Sequence, residues 1–259
     1  MNNAKVFRDK LANRQTCFGT GISLADPGVT EALAGDLDLF WIDMEHTALS
    51  LDAVRHHLMA IKGSDAAALV RVPWNDPVLI KPVLDIGADG VIVPMVQTAD
   101  DVAKAVAACR YPPLGIRGFG PLRPLDYGRR NVKDVCNAAD KTLVVIVQIE
   151  QAAAVENIDE ILGVDGLASI AFGPNDLAAS LGYPFQPQHP AVFEAIQTVT
   201  DKSRAAGVAV GISVGADLQL ICKLVDMGIQ WLSIGVDVTL LRRAAGELTD
   251  CVRGHIASE

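Results

Sequence analysis

The chain has 259 residues, half of them hydrophobic but only 5% aromatic, so Val, Ile, Leu and Ala must fill the core of what its length suits best, a single α/β barrel. A formal net charge of −9 with no block of Lys or Arg argues against nucleic acid or an anionic membrane as main partner and leaves small soluble ligands. The five cysteines are scattered, without a Cys-x-x-Cys pair, which suggests neither a disulfide framework nor a thiolate zinc site. Residues 1–14 lack an apolar leader and no apolar run approaches the ~18 residues of a membrane span, so a cytoplasmic protein is expected.

In chain order, short apolar runs rich in β-branched residues predict strands at 17–22, 39–43, 67–71, 90–94, 143–149, 167–172, 208–212 and 231–234. Between them lie amphipathic stretches with helical spacing, such as 51–61, 99–109, 192–206 and 218–227. This alternation demands parallel strands, and a run such as 143–147, apolar throughout, must be covered on both faces. Eight similar units, with no Gly-x-Gly-x-x-Gly fingerprint after any strand, favour a closed (β/α)8 barrel over an open sheet. The whole chain, 1–259, is expected to be one such domain. One irregular segment, 111–130, is rich in Gly, Pro and Arg. It reads either as a solvated connector or as a loop on the catalytic rim, where Arg117, Arg123, Arg129 and Arg130 would meet an anionic substrate.

In a barrel of this kind the chemistry sits at the carboxyl ends of the strands. The second predicted strand ends in Asp43-Met44-Glu45-His46, the third in Arg71, the fifth in Gln148-Ile149-Glu150, and the sixth runs into Gly173-Pro174-Asn175-Asp176. Glu150 and Asp176 follow neighbouring strands, so two carboxylates would face each other, a conflict that a hard divalent cation such as Mg²⁺ or Mn²⁺ resolves. A rim carboxylate paired to an arginine and a helix-start aspartate account for them as well, and the residues alone leave that choice open. Arg71, ending an apolar run, needs an anionic partner, which the substrate can supply. His46 suits acid–base work, with Asp85 as an orienting acceptor; a surface histidine and a helix-ending aspartate are the plainer alternatives.

The blocks Trp41-Ile42-Asp43-Met44-Glu45-His46, Val70-Arg71-Val72-Pro73-Trp74-Asn75-Asp76-Pro77, Val93-Pro94-Met95-Val96-Gln97, Arg110-Tyr111-Pro112-Pro113-Leu114-Gly115-Ile116-Arg117-Gly118, Gln148-Ile149-Glu150 and Phe172-Gly173-Pro174-Asn175-Asp176-Leu177 occur in an order that resembles the class II pyruvate aldolases of the HpcH/HpaI type. The resemblance implies a TIM barrel of the phosphoenolpyruvate- and pyruvate-binding superfamily that cleaves 4-hydroxy-2-oxo acids reversibly to pyruvate, or hydroxypyruvate, and an aldehyde. It implies Glu150 and Asp176 as ligands of a divalent cation (Mg²⁺, Mn²⁺ or Co²⁺), with Gln148, Gly173, Pro174, Asn175, Asp176 and Ser213 around the keto acid. It further implies a His46–Asp85 acid–base dyad, Arg71 on the keto oxygen, and Asp43 and Glu45 in an outer shell. Relatives often carry glycine, alanine and leucine where Met44, Asn175 and Ser213 stand, which implies a more polar pocket here. The family also implies a hexamer, a trimer of dimers exchanging a last helix near 238–252; the plainer expectation is a helix closing its own barrel. Two other functions suit such a barrel. A CoA-thioester lyase of the citrate lyase β-subunit type is disfavoured by the Asp-x-Glu-His and Gly-Pro-x-Asp-Leu blocks, and a non-catalytic keto-acid binder by intact His46, Arg71 and Asp85.

Overall fold

A computed structural model describes residues 3–258. The elements, in order, are α1 (Asn3–Ala12), β1 (Cys17–Ile22), α2 (Gly28–Leu33), β2 (Leu39–Asp43), α3 (Leu51–Ala60), β3 (Ala67–Arg71), α4 (Pro77–Asp85), β4 (Gly90–Val93), α5 (Ala99–Cys109) and α6 (Val132–Thr142), then β5 (Val144–Ile149), α7 (Ala152–Glu156), α8 (Ile158–Leu162), β6 (Ser169–Phe172), α9 (Pro174–Ser180), α10 (Pro190–Ala206), β7 (Ala209–Val214), α11 (Leu218–Asp226), β8 (Trp231–Val236) and α12 (Asp237–Ala257). The eight strands pair in parallel in sequence order and close, with β1 beside both β2 and β8. All eight predicted strands are present. Their limits move by a few residues for local reasons: β4 stops before Pro94, which has no N–H to give the ladder, and β7 and β8 run on to Val214 and Val236.

Side chains alternate between two apolar cores. Leu39, Trp41, Ala67, Leu69, Ile92, Val144, Ile146, Ala171, Ala209 and Trp231 point into the barrel, while Phe40, Ile42, Ala68, Val70, Val145, Val147, Ile170 and Phe172 pack outward against the helices. This two-residue period carries the site, because the next inward positions toward the carboxyl ends are Asp43, Arg71, Gln148, Gly173 and Ser213. The amino-terminal end is plugged by α1. Its Phe7 meets Trp231 edge-on at a centroid distance of 6.2 Å, and Trp231 Nε1 donates to Ser169 Oγ at 2.9 Å. Asp89, pushed up to about 6 by burial, accepts from the Ala4 and Ala68 amides, both at 3.0 Å, and so ties α1 to β3.

The segment 111–130 is not a lid on the rim of its own barrel. It follows α5, which returns the chain to the amino-terminal end, and it packs on other helix ends there. Arg123 donates to the carbonyls of Ile86 and Leu58, both at 2.8 Å, which lie after α4 and near the end of α3. Arg117 is buried, pairs with Asp85 at 2.7 Å and lies over the Tyr111 ring. Arg129 and Arg130 bond within the segment, to Asp126 and to the Pro124 carbonyl. These arginines satisfy helix carbonyls and a local carboxylate, as cations do at helix carboxyl ends. The five cysteines are free, and among the described residues no helix is long and apolar enough to cross a membrane.

Inside the barrel Gly211 faces the fully buried Trp231 ring, and a Cβ there would lie 1.8 Å from Trp231 Cε2. The ring has no room to retreat, so Gly211→Ala is expected to cost roughly 3 kcal/mol and lower the melting temperature by roughly 5–10 °C. Thermal unfolding followed by circular dichroism checks this, and a variant melting with its parent would show that the ring yields.

Candidate active site

The mouth is built where four strands end. Asp43 closes β2 and Arg71 closes β3, in register with each other. Arg71 Nε and Nη2 donate to the two oxygens of Asp43 at 2.9 and 2.6 Å, a bidentate clamp that fixes the guanidinium plane. Its remaining Nη1 lies 2.9 Å from Glu45 Oε2, at an angle outside hydrogen-bond geometry, and 3.4 Å from Gln148 Oε1. Burial would raise the Asp43 pKa, but the hydrogen bonds and charge of Arg71 outweigh it and hold the carboxyl below its ordinary value. Glu45 goes the other way. Burial raises it, and the charges of Asp43 and Asp176 add to that against the pull of Arg71.

Glu150 follows β5 and is 2% exposed. Its Oε1 accepts from the Met95 amide at 2.6 Å and its Oε2 from Gln148 Nε2 at 2.7 Å. Its carboxyl is pushed up to about 7 by burial, with the charges of Glu45 and Asp176 adding to the effect and Met95 and Arg71 opposing it. Asp176 lies exposed in the first turn of α9, after Gly173 and Pro174. Gly173 is required for closeness: a Cβ there would sit 2.4 Å from Glu150 Oε2. Asn175 shares the exposed first turn, and Ser213 is half-buried near the end of β7, opposite Ser233.

Asp43, Glu45, Arg71, Gln148 and Glu150 are thus one linked network, with Asp176 near enough to act on Glu45 and Glu150 through its charge. His46 joins only at the edge: its ring is 63% exposed and Nε2 lies 3.6 Å from Glu45 Oε2. Asp85, expected beside it, is elsewhere. It ends α4, the helix that carries the chain back to the start of β4, and its carboxylate is taken by Arg117. The two are at opposite ends of the barrel, so the chain forms no His46–Asp85 dyad by itself. Among the other histidines, His57 is fully buried and held by Thr30 Oγ1 at 3.1 Å and the Leu24 carbonyl at 2.9 Å, a structural role.

Two residues escaped the sequence reading. Met95 adopts φ +58, which is uncommon for a side chain of its size, and so turns its amide onto Glu150; nothing in the sequence marks that turn. Ser233 is fully buried, with a hydroxyl lacking a hydrogen-bond partner among the described residues. Its inward position, two residues after Trp231, could have revealed it.

The mouth offers hard oxygen donors and an excess of negative charge over the Arg71 cation, a donor set that fits a hard divalent ion completed by water and substrate oxygens. Among the described residues no cluster of three or more His, Cys, Asp or Glu side chains forms a ready cage. Fold and mouth together define an α/β barrel that gathers carboxylates and one arginine at the carboxyl ends of its strands, where barrel enzymes carry their chemistry. The comparisons with known proteins agree. The family model described as HpcH/HpaI aldolase/citrate lyase matches residues 22–244, and the chain belongs to that family. It is 41% identical over 249 residues to a 4-hydroxy-2-oxo-heptane-1,7-dioate aldolase of Salmonella arizonae, covering 96% of this chain and 94% of the relative. An HpcH/HpaI aldolase/citrate lyase family protein from Burkholderia cenocepacia superposes with a TM-score of 0.90 at 34% identity, covering 96% of this chain and 99% of the other. An HpcH/HpaI aldolase from Desulfitobacterium hafniense gives 0.89 at 32%, covering 95% and 96%.

The state of Glu150 has a measurable sign. Its folded pKa, near 7, lies above its ordinary value of 4.5, so between those values the native protein holds a proton that the unfolded chain has lost. This group's contribution therefore falls as pH rises through that window, and the cost is complete above it. In chelator, Glu150→Gln is expected to melt above the parent at about pH 8, by up to about 3 kcal/mol, with the gap closing toward pH 5. A gap independent of pH would show that Glu150 does not titrate in this window.

Proposed function

We propose that the chain is a class II pyruvate aldolase that reversibly cleaves a 4-hydroxy-2-oxo acid to pyruvate, or hydroxypyruvate, and an aldehyde, using a divalent cation held by Glu150 and Asp176. The observation that carries this reading is Glu150: a carboxylate raised by its burial, with two acidic neighbours adding to the effect and no cation in contact among the described residues, beside an arginine already oriented by Asp43. The names of the aldolase relatives supply the reaction class and a diacid of the 4-hydroxy-2-oxoheptanedioate type as the substrate to try first. When bound, Mg²⁺, Mn²⁺ or Co²⁺ would supply positive charge at the keto oxygen, where negative charge gathers as the carbon–carbon bond breaks.

The chain's own residues do the rest. Arg71 directs Nη1 into the mouth and donates to the keto oxygen, sharing the enolate charge; Asp43 keeps its plane fixed so that no reorganisation is needed. Gln148 holds Glu150 in place and lines the keto-acid site with Gly173, Pro174 and Ser213. The first-turn amides of Asn175 and Asp176 have no intrahelical acceptors, as at any helix start, and receive the substrate carboxylate. His46, exposed at the rim with Glu45 near, moves the proton of the 4-hydroxyl group. No lysine ends a strand at the mouth, consistent with a route that needs no imine. Because Glu150, Asp176 and Arg71 all act on charge that develops in the transition state, Glu150→Ala and Arg71→Ala are each expected to reduce kcat/KM for pyruvate release about a thousandfold or more. The assay is coupled pyruvate detection with each metal added in turn. Turnover that survives both a chelator and Glu150→Ala would sink the metal-assisted mechanism.

The same reading includes a homo-oligomer, a trimer of dimers. Of α12's residues only Asp237 is buried, and Leu241, Leu248, Val252 and Ile256 are each more than half exposed along one face at near-heptad spacing. A helix of 21 residues whose start packs on its own β1 and β8 and whose remainder carries such a seam supports exchange between subunits. If Asp85 serves His46, it does so across a subunit contact, since one barrel keeps them apart. Leu241→Asp with Leu248→Asp is expected to shift the mass seen by sedimentation velocity to smaller species; an unchanged assembly would remove α12 from the interface.

A further inference from the structure

At the end of the barrel opposite the mouth lies a cavity of about 560 Å³, bounded by α1, the last turn of α10 and the starts of β5 and β7. Arg8, Arg14 and Arg204 line it, together with Thr16 and Gln230, and no aspartate or glutamate does. That is unexpected in a chain where 31 acidic residues outnumber 22 basic ones. Arg8 is half-buried, and among the described residues its side chain donates only to the Leu143 carbonyl, at 3.2 Å. Burial and the charge of Arg110 both disfavour its protonated form. Arg14 stands in a left-handed turn just after α1 with no side-chain partner among the described residues. Arg204 crosses over Gly228, and the nearest carboxylate, Asp201, is 3.8 Å away with both groups more than half exposed.

Helix carboxyl ends draw cations, which accounts for Arg14 and Arg204 at the ends of α1 and α10. Arg8, midway along α1, reaches a helix carboxyl end too, the carbonyl of Leu143 that closes α6, but this single neutral acceptor leaves its charge unbalanced. A guanidinium withdrawn from water beside like charges needs an anion, and in this cavity the chain provides none. The volume lies within the ~300–1,000 Å³ usual for small-molecule sites.

We infer that this cavity is a second ligand site, remote from the catalytic mouth, for a small polyanion bearing two or more carboxylate or phosphate groups, with Arg8, Arg14 and Arg204 as its counter-charges. Several negative charges are required because three guanidinium groups line the cavity and no acidic side chain does. This inference does not depend on the aldolase reading.

Isothermal titration of the metal-stripped full-length protein with citrate and, separately, pyrophosphate tests it and distinguishes carboxylate from phosphate ligands. The parent and Arg71→Ala are expected to bind at least one of them saturably, while Arg14→Ala with Arg204→Ala weakens binding at least ~tenfold, the effect of losing one charge-assisted contact or more. Both side chains of the double variant are exposed, so it should melt with the parent and keep its rate of pyruvate release. Absence of saturable heat from both anions, binding untouched by the double variant, or binding lost in Arg71→Ala instead would each overturn the inference.

Discussion

The mouth of this barrel depends on the ion pair between Arg71 and Asp43. An arginine 13% exposed facing an aspartate 14% exposed is expensive to desolvate, and such pairs add little net stability over apolar residues of the same size. What the pair does contribute is direction. Two of the guanidinium's donor positions are consumed by Asp43, so the third must point toward Glu45 and Gln148, across the barrel axis. Gln148 then passes the constraint on, since its Oε1 faces Arg71 and its amide nitrogen must therefore face Glu150. One bidentate contact at the end of β2 and β3 thus sets the orientation of a carboxylate that follows β5.

That chain of constraints works because the barrel is closed and its side-chain period is two. Three strands have an apolar inward residue at mid-depth and, two positions later, a polar one at the mouth, Trp41 then Asp43, Leu69 then Arg71 and Ile146 then Gln148, while on β6 Ala171 is followed by Gly173, which leaves room for Glu150. A slip of one residue in any strand would bury Asp43 or Arg71 among the apolar contacts outside the sheet, so the outward core of Ile42, Val70, Val147 and Phe172 protects the register of the site as well as the stability of the fold.

This layering explains what the sequence could and could not reveal. The strands were legible because a parallel barrel makes them continuous apolar runs, and the residues that end those runs did converge. Asp85 was misplaced, and the arginines of 111–130 were left between two readings, because polar residues near Gly and Pro look alike at both ends of a barrel. Topology corrects this: a residue at the end of a helix that leads to the next strand belongs to the amino-terminal end, whatever its chemistry. Met95 was illegible for another reason. Its part is played by a backbone amide turned inward by a positive φ, and no side-chain pattern encodes that.

The two ends of the molecule then present inverse electrostatic problems. At the mouth, Asp43, Glu45, Glu150 and Asp176 share a single arginine; burial and the unbalanced charge lift Glu150 to about 7. A carboxylate in that position takes up a proton or a cation in preference to remaining bare, and since the two compete for the same oxygens, cation affinity must rise with pH through the range in which the proton leaves. Met95 and Gln148 supply one hydrogen bond to each Glu150 oxygen, which opposes protonation and keeps the group poised between the alternatives. Burial outweighs these donors, and the charges of Glu45 and Asp176 add to it. The remaining deficit is one that a full positive charge in the mouth would fill.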